Sequence, residues 1–336
     1  MDPLVVLFGL GVGILVGMTG IGGGSLMTPL LILVVGTKPV VAIGTDLAYG
    51  AITKTVGGWR HLRKGTVDLG LAAWLCLAAA PASLVGVVLV TRLHHSYGDS
   101  FDGPLLIVVA AALLVAALAT LVRALFLPKL IARERERVEM DLKAKLQALG
   151  IGLVLGLVLG FTSVGSGALI GLTLILVFRL TPHRVVGTDV FQAAILLWVA
   201  GLGHLVGGNV DLGLMVNILI GSVPGVWIGT HLMTRVPSGG LRPALGCVLL
   251  ASSLAVASKA GVELSALVVV GVPLAVGAFA WWWLRHRPAA ALVGDPAAEA
   301  VGADPAAPSA QQPARLAASD RPATTPDPVA SASDPG

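Results

Sequence analysis

The chain has little of what a water-soluble protein needs. Charged residues fill only 12% of its 336 positions, about half the share of a soluble domain, so no hydrated surface of that size can be covered. Cysteine is almost absent. Cys76 and Cys247 are the only two, and both sit inside apolar stretches, which excludes a disulfide framework and a thiolate metal site. The residues after Met1 carry no positive charge, so the first apolar stretch is not a secretory signal. No nucleotide-binding motif occurs, and His61 and His204 lie too far apart to share an ion. The expectation is therefore no metal, no cofactor and no nucleic-acid partner.

What the chain has instead is apolar length. It is 56% hydrophobic with a mean hydropathy of +0.90. Stretches of about 20 apolar residues recur, each long enough to cross roughly 30 Å of hydrocarbon. The fold class is an all-α polytopic membrane protein whose main partner is the lipid bilayer. The net charge of +4 conceals an asymmetry: residues 288–336 carry −4 and the rest +8. Pro and Ala supply 25 of those last 49 residues, which predicts a disordered tail.

Sliding the chain by 143 residues aligns Gly9–Arg92 with Gly152–Arg235 at 33 identities in 84 positions. The identities fall on special residues, among them Gly17/Gly160, Thr19/Thr162, Gly22/Gly165, Gly24/Gly167, Pro39/Pro182, His61/His204 and Asp68/Asp211. The core is a duplicated unit. It divides into a first membrane repeat (1–127), a charged cytoplasmic linker (128–147), a second membrane repeat (148–287) and the tail (288–336). The linker reads as a solvated surface helix.

Each repeat opens unusually. Ser25 to Val35 and Ala168 to Phe178 hold 11 residues each, about 16 Å as helix and half a bilayer. A Gly-rich turn precedes each one. Such a pair is either a re-entrant hairpin or one broken span. Positive charge favours the hairpin, because it leaves only Lys38, Arg92 and Lys259 outside, with Lys54 inside a helix and 18 of the 22 Lys and Arg within. The N-terminus is then outside and the C-terminus cytoplasmic. The two repeats acquire inverted topology, the architecture of many secondary transporters.

The Gly-rich turns are the candidate substrate site: Thr19, Gly22, Gly23, Gly24 and Ser25 in the first repeat, Thr162, Ser163, Gly165, Ser166 and Gly167 in the second. Glycines permit close backbone approach, and a helix N-terminus presents free N–H groups to an anion. Asp46 and Asp189 are acids deep in apolar segments at equivalent positions, so they are candidates for proton coupling. Thr45, Thr188, Lys54, His61 and His204 are accessory candidates. Lys54 either snorkels from the end of its helix or attracts an anion. Asp68 and Asp211 read as helix caps.

The paired Gly-rich turns resemble the sulfite exporter TauE/SafE family, as do Gly44-Thr45-Asp46-Leu47 with Gly187-Thr188-Asp189-Val190 and His61 to Asp68 with His204 to Asp211. The resemblance covers roughly residues 4–284. It implies a secondary permease, an exporter of small sulfur-containing or organic anions across the cell membrane, with possible proton coupling and no enzymatic activity. Asp46 and Asp189 stand where that family often has Ser. A carboxylate beside an anion path repels the substrate unless it is protonated. A monoanion leaving a cell with a negative interior gains about 2.3 kcal/mol per 100 mV, so export needs no coupling ion. Two other classes compete: an intramembrane enzyme with Ser166 as nucleophile and His204 as base, and a membrane scaffold binding through linker or tail.

Overall fold

The computed structural model describes residues 3–19, 24–125, 135–233 and 238–286. Among them the chain forms eleven α-helices and no β-strand. They are α1 (Pro3–Thr19), α2 (Gly24–Leu30, continued by a π turn over Leu31–Val35), α3 (Pro39–Arg63), α4 (Leu69–Tyr97), α5 (Asp102–Leu125), α6 (Leu142–Thr162), α7 (Leu169–Leu176), α8 (Pro182–Val206), α9 (Leu212–Met233), α10 (Ser238–Lys259) and α11 (Ala266–Arg285).

The same local chemistry shapes both repeats. Pro39 and Pro182 open α3 and α8 at their first turns, where a missing N–H is harmless. Gly65 and Gly208, at φ +65° and +72°, take the left-handed step that follows those helices. Asp68 caps α4 by accepting from Leu71 N at 3.1 Å, and Asp211 caps α9 by accepting from Leu214 N at 2.9 Å. The short helices fall where the sequence places them. α2 with its π turn covers residues 24–35 and α7 has eight residues, whereas α3 and α8 have 25 each, about 37 Å of helix.

Packing is reciprocal between the repeats. α1 lies on α9, α6 on α4, α3 on α8 and α5 on α10. The first two contacts are glycine seams. Gly9 and Gly13 of α1 face Ile218 and Ser222, while Gly221, Gly225 and Gly229 of α9 face Val6, Leu10 and Ile14. Gly152, Gly156 and Gly160 of α6 face Leu75, Ala79 and Ser83 in the same way. Residue numbers rise together along both seams, so each pair runs parallel. Helices without side chains at the contact approach to backbone distance. In the α3–α8 pair, Gly44 meets His204 and Asn209, Gly50 meets Leu197 and Gly58 meets Phe191, so this pair is antiparallel.

The polar loops reveal which helices begin together. At one end Lys38 pairs with Asp99 at 2.8 Å, Asn209 Nδ2 donates to Thr91 Oγ1 at 2.8 Å, and Lys259 Nζ donates to Ile32 O at 2.5 Å. α3 and α9 start at this end, and α1, parallel to α9, starts there too. The α1–α2 pair thus enters and returns on one side, as a hairpin. At the other end Val138 N donates to Asp68 Oδ2 at 3.0 Å, and Arg135 N donates to Arg179 O at 2.8 Å. α6 and α8 both start there, so the α6–α7 pair is a hairpin entering from the opposite end.

The linker differs from the expected surface helix. Residues 135–141 are non-helical and pinned: Arg135 bridges Leu180, and Arg184 reaches both Glu136 and the Val67 carbonyl. Glu136 pairs with His183 and Arg184 at the start of α8 rather than lining a helix face. α6 then starts at Leu142, capped by Asp141. Residues 126–134, like the tail from 287 onward, lie outside the described residues.

Among the described residues, five helical stretches are long and apolar enough to span a bilayer, and several shorter apolar helices accompany them. The outward faces expose large apolar side chains such as Leu77, Val85, Trp227 and Leu274. Water would reject such a surface, and hydrocarbon accepts it. The protein is a multi-pass membrane protein.

Candidate functional site

α6 ends at Thr162, and the chain crosses to α7 through a loop with three left-handed residues: Ser163 at φ +62°, Gly165 at +143° and Gly167 at +90°. The Thr162 hydroxyl is used locally, donating to Val158 O at 2.7 Å and accepting from Val164 N at 3.1 Å. Ser163 turns its side chain the other way. Its Oγ donates to Asp46 Oδ2 at 2.8 Å, joining the loop of the second repeat to α3 of the first. Thr28, on α2, donates to the same oxygen at 2.5 Å. Four residues on, Gly167 N donates to Asp189 Oδ1 at 3.2 Å. One loop therefore touches both aspartates.

Lys54 completes the cluster. The sequence allowed it to snorkel from a helix end, but α3 continues to Arg63 and holds Lys54 at only 5% exposure. The antiparallel register of α3 and α8 places it near the middle of their crossing. Its Nζ makes no hydrogen bond among the described residues. The charges of Asp189 and Asp46 both reach it. Ser166 Oγ, Gln192 Oε1 and Asp46 Oδ1 are likewise buried without a partner among the described residues. Gln192 lies one turn from Asp189 on the same face of α8. A buried donor or acceptor left unpaired costs about 1–3 kcal/mol, more for a charged group. Four such groups are carried by the α6–α7 loop and by α3 and α8.

The accessory residues divide. Thr45 and Thr188 hold the two repeats together: Asp211 N donates to Thr45 Oγ1 at 3.0 Å and Asp68 N donates to Thr188 Oγ1 at 2.9 Å. Each Gly-Thr-Asp motif thus secures the first residue of the other repeat's helix. His204 is fully buried, its Nε2 3.2 Å from Gly160 O and its Nδ1 3.5 Å from Asn209 Nδ2. Asn209 Nδ2 is a donor, so Nδ1 is the acceptor and the ring is neutral. His61 stays at its turn, Nδ1 2.9 Å from Thr66 Oγ1. Ser166 and His204 are not hydrogen-bonded to each other. Ser25 is buried at the start of α2. Gly22 and Gly23 lie outside the described residues, and so do the side-chain surroundings of Thr19 and Gly24. Away from the site, the exposed Asp99 holds the Lys38 ammonium above its ordinary value by a direct hydrogen bond.

Sequence reading missed Thr28, Gln192 and Arg123. Arg123 Nη1 lies 2.8 Å from where a Cβ on Gly171 would stand, and its charge acts on Asp189. The available signal was departure from the repeat: Thr28 pairs with Gly171, and Gln192 with Tyr49.

The family model for sulfite exporter TauE/SafE matches residues 5–256, which takes in every helix named above except α11, the first two residues of α1 and the last three of α10. The chain belongs to that family. Curated relatives extend the likeness. The chain is 37% identical over 256 residues to the probable membrane transporter protein YjnA of Bacillus subtilis (strain 168), covering 76% of this chain and 99% of that one. It is 26% identical over 248 residues to the probable membrane transporter protein YdhB of the same organism, covering 72% and 94%. It is 35% identical over 108 residues to the sulfite exporter TauE/SafE family protein 1 of Arabidopsis thaliana, covering 32% and 23%. No solved structure matches the chain.

Proposed function

We propose that this TauE/SafE member is a secondary transporter that exports small sulfur-containing or organic anions across the cytoplasmic membrane with proton coupling. The observation that carries the proposal is Lys54, a cation buried at the α3–α8 crossing without a hydrogen-bond partner among the described residues. The charges of two carboxylates reach it, and the loop that touches both carboxylates carries an unpartnered hydroxyl. An anion supplies what the ammonium lacks, and the Ser163–Gly167 backbone can approach it closely. The glycine-rich turn of the first repeat is its counterpart. The buried carboxylates Asp46 and Asp189 are the groups available to a coupling proton.

The names of the relatives support transport as the class of activity. The hairpins entering from opposite ends, with the reciprocal packing, support two repeats of inverted topology that exchange access around a central site. In this reading the Lys38–Asp99 end is outside and the linker end cytoplasmic, as the charge distribution favours.

The test is anion flux in proteoliposomes with sulfite, thiosulfate, sulfoacetate and nitrate, with and without a pH gradient. At least one sulfur anion is expected to move, and Lys54→Leu, which copies Leu197 of the other repeat, is expected to stop it. Thermal stability should not fall, since an apolar side chain in place of a buried charge is often neutral or stabilising. Undiminished flux in a folded Lys54→Leu protein refutes the site.

A further inference from the structure

The two halves share their parts but not their packing. α4 and α9 hold equivalent places in the repeat, as do α8 and α3. The α4–α8 and α9–α3 pairs should therefore look alike, yet α4 packs closely on α8 and α9 only sparsely on α3. α4 and α8 both start at the linker end. There Asp68 N donates to Thr188 Oγ1 at 2.9 Å, and Arg184 Nη1 donates to Val67 O at 3.2 Å. At the Lys38–Asp99 end they still touch. A Cβ on Gly203 of α8 would stand 3.1 Å from Leu84 Cδ1 and 3.2 Å from Val87 Cγ1 of α4. Gly207 sits as closely on Thr91, to which Asn209 Nδ2 donates at 2.8 Å. Val87 is 2% exposed. This seam is sealed.

α3 and α9 begin together at the Lys38–Asp99 end, where Asp211 N donates to Thr45 Oγ1 at 3.0 Å. Toward the linker end they part. Gly57 of α3 meets only Val190 of α8, and Arg60, the equivalent of Gly203, is exposed. Trp227 of α9, the equivalent of Leu84, is 68% exposed, and its ring lies against His231 of its own helix. The rims differ in charge as well. Arg60, Arg63 and Lys64 stand exposed at the end of α3, where the sealed seam has Gly203, Val206 and Gly207. Three cations at a rim keep it hydrated and draw anions toward it.

We infer that the structure is one of two access states, sealed between α4 and α8 and open between the second halves of α3 and α9, and that the cycle exchanges these arrangements between the repeats. In the other state α9 closes on α3, bringing Thr230 to Arg60 as Val87 now lies to Gly203, and α4 leaves α8 at that level. The equivalence carries this step: two halves of one fold in opposite orientation can each adopt the other's arrangement around a shared centre. The α3–α8 crossing with Lys54 is common to both states. Closure leaves room for Arg60, whose flexible stem can turn its guanidinium out to the rim. The inference builds on the transport reading and names the two seams that gate the site.

The experiment uses full-length protein without Cys76 and Cys247, reconstituted in proteoliposomes. Val87→Cys/Gly203→Cys sets two Cβ atoms 3.6 Å apart, a distance that suits a disulfide. Arg60→Cys/Thr230→Cys is its counterpart in the other repeat. Free thiols are counted by maleimide labelling after oxidation with copper phenanthroline. The first pair is expected to lose both thiols quickly, and the second more slowly, as the other state is visited. A variant with all four cysteines is expected to lose two thiols per molecule and never four. Four lost thiols, or either pair staying reduced, overturns the inference. If Gly203→Cys prevents insertion, Thr91→Cys/Gly207→Cys tests the same seam, since Thr91 Cγ2 stands 3.3 Å from a Cβ on Gly207. Exchange of [14C]sulfoacetate is read alongside, because sulfite itself cleaves disulfides. Either disulfide should reduce exchange to that of protein-free vesicles, and dithiothreitol should restore it. Exchange that persists through a formed disulfide overturns the inference and leaves transport standing. No exchange by any reduced variant, with the thiol counts as expected, removes the transport reading and keeps the two states.

Discussion

The glycine seams make a prediction whose size can be read from the structure. A Cβ placed on Gly152 would stand 2.5 Å from the Leu75 carbonyl oxygen, and one on Gly9 would stand 2.6 Å from that of Ile218. Real Cβ atoms essentially never come within 3.0 Å of such a neighbour, so α4 and α6, or α1 and α9, must part by about 0.5 Å. The obstacle is backbone, which cannot rotate away. Overpacking of this kind costs typically 1–3 kcal/mol. For a chain of this size each kcal/mol is worth roughly 2–4 °C, so Gly152→Ala and Gly9→Ala should each lower the melting temperature by several degrees. Gly150 and Gly11 are internal controls, one on each of the same helices, with nothing within 4 Å of the added Cβ. There alanine gains about 1 kcal/mol of helix propensity with no clash, and stability should hold or rise. The assay is thermal unfolding of the four purified variants in one detergent. If Gly152→Ala and Gly9→Ala melt with the wild type while the controls fall, the seams are not the close contacts described.

Two further outcomes follow from the loops. Thr188→Val removes the acceptor for Asp68 N, which is buried, so it should cost about 1–3 kcal/mol. Thr45→Val, whose partner Asp211 is exposed, should cost less, and a reversed order in thermal melts contradicts the cross-repeat caps. In a background lacking Cys76 and Cys247, Asp99→Cys should react with an impermeant maleimide from outside intact cells and Lys64→Cys only after lysis; the opposite pattern inverts the assigned orientation.

The duplicated pattern and the half-length helices were legible in the sequence because they depend on residue order alone. Ser25 to Val35 is too short to span, and the structure places a short helix there. The capping role of Asp68 and Asp211 was legible for the same reason, since a cap acts within its own turn. Partnerships across the fold were not. Nothing local marks Thr28 as the partner of Asp46, or Arg123 as the neighbour of Gly171, because those pairs are set by how α2, α5 and α7 pack. For Lys54 the sequence left open a place near the end of its helix, because the apolar run through it breaks off at Gly58. The helix itself runs five residues farther through Trp59, Arg60 and His61. The charges of the linker pointed to a helix, and only the start of α8 beside it discloses that Glu136 is a pairing site.

The reciprocal packing has a consequence for how the molecule is made. α1 finds its seam only when α9 exists, and α4 finds its seam only when α6 exists. The first 125 residues leave the ribosome with two helices, α1 and α4, whose seam faces have no mate. Neither half can close its seams alone. Each is in effect one protomer of an exchanged dimer fused to the other, and the joined pair closes only after most of the second half has been inserted. Cutting the chain between Leu125 and Arg135 should therefore yield two fragments that are unstable apart and assemble when produced together.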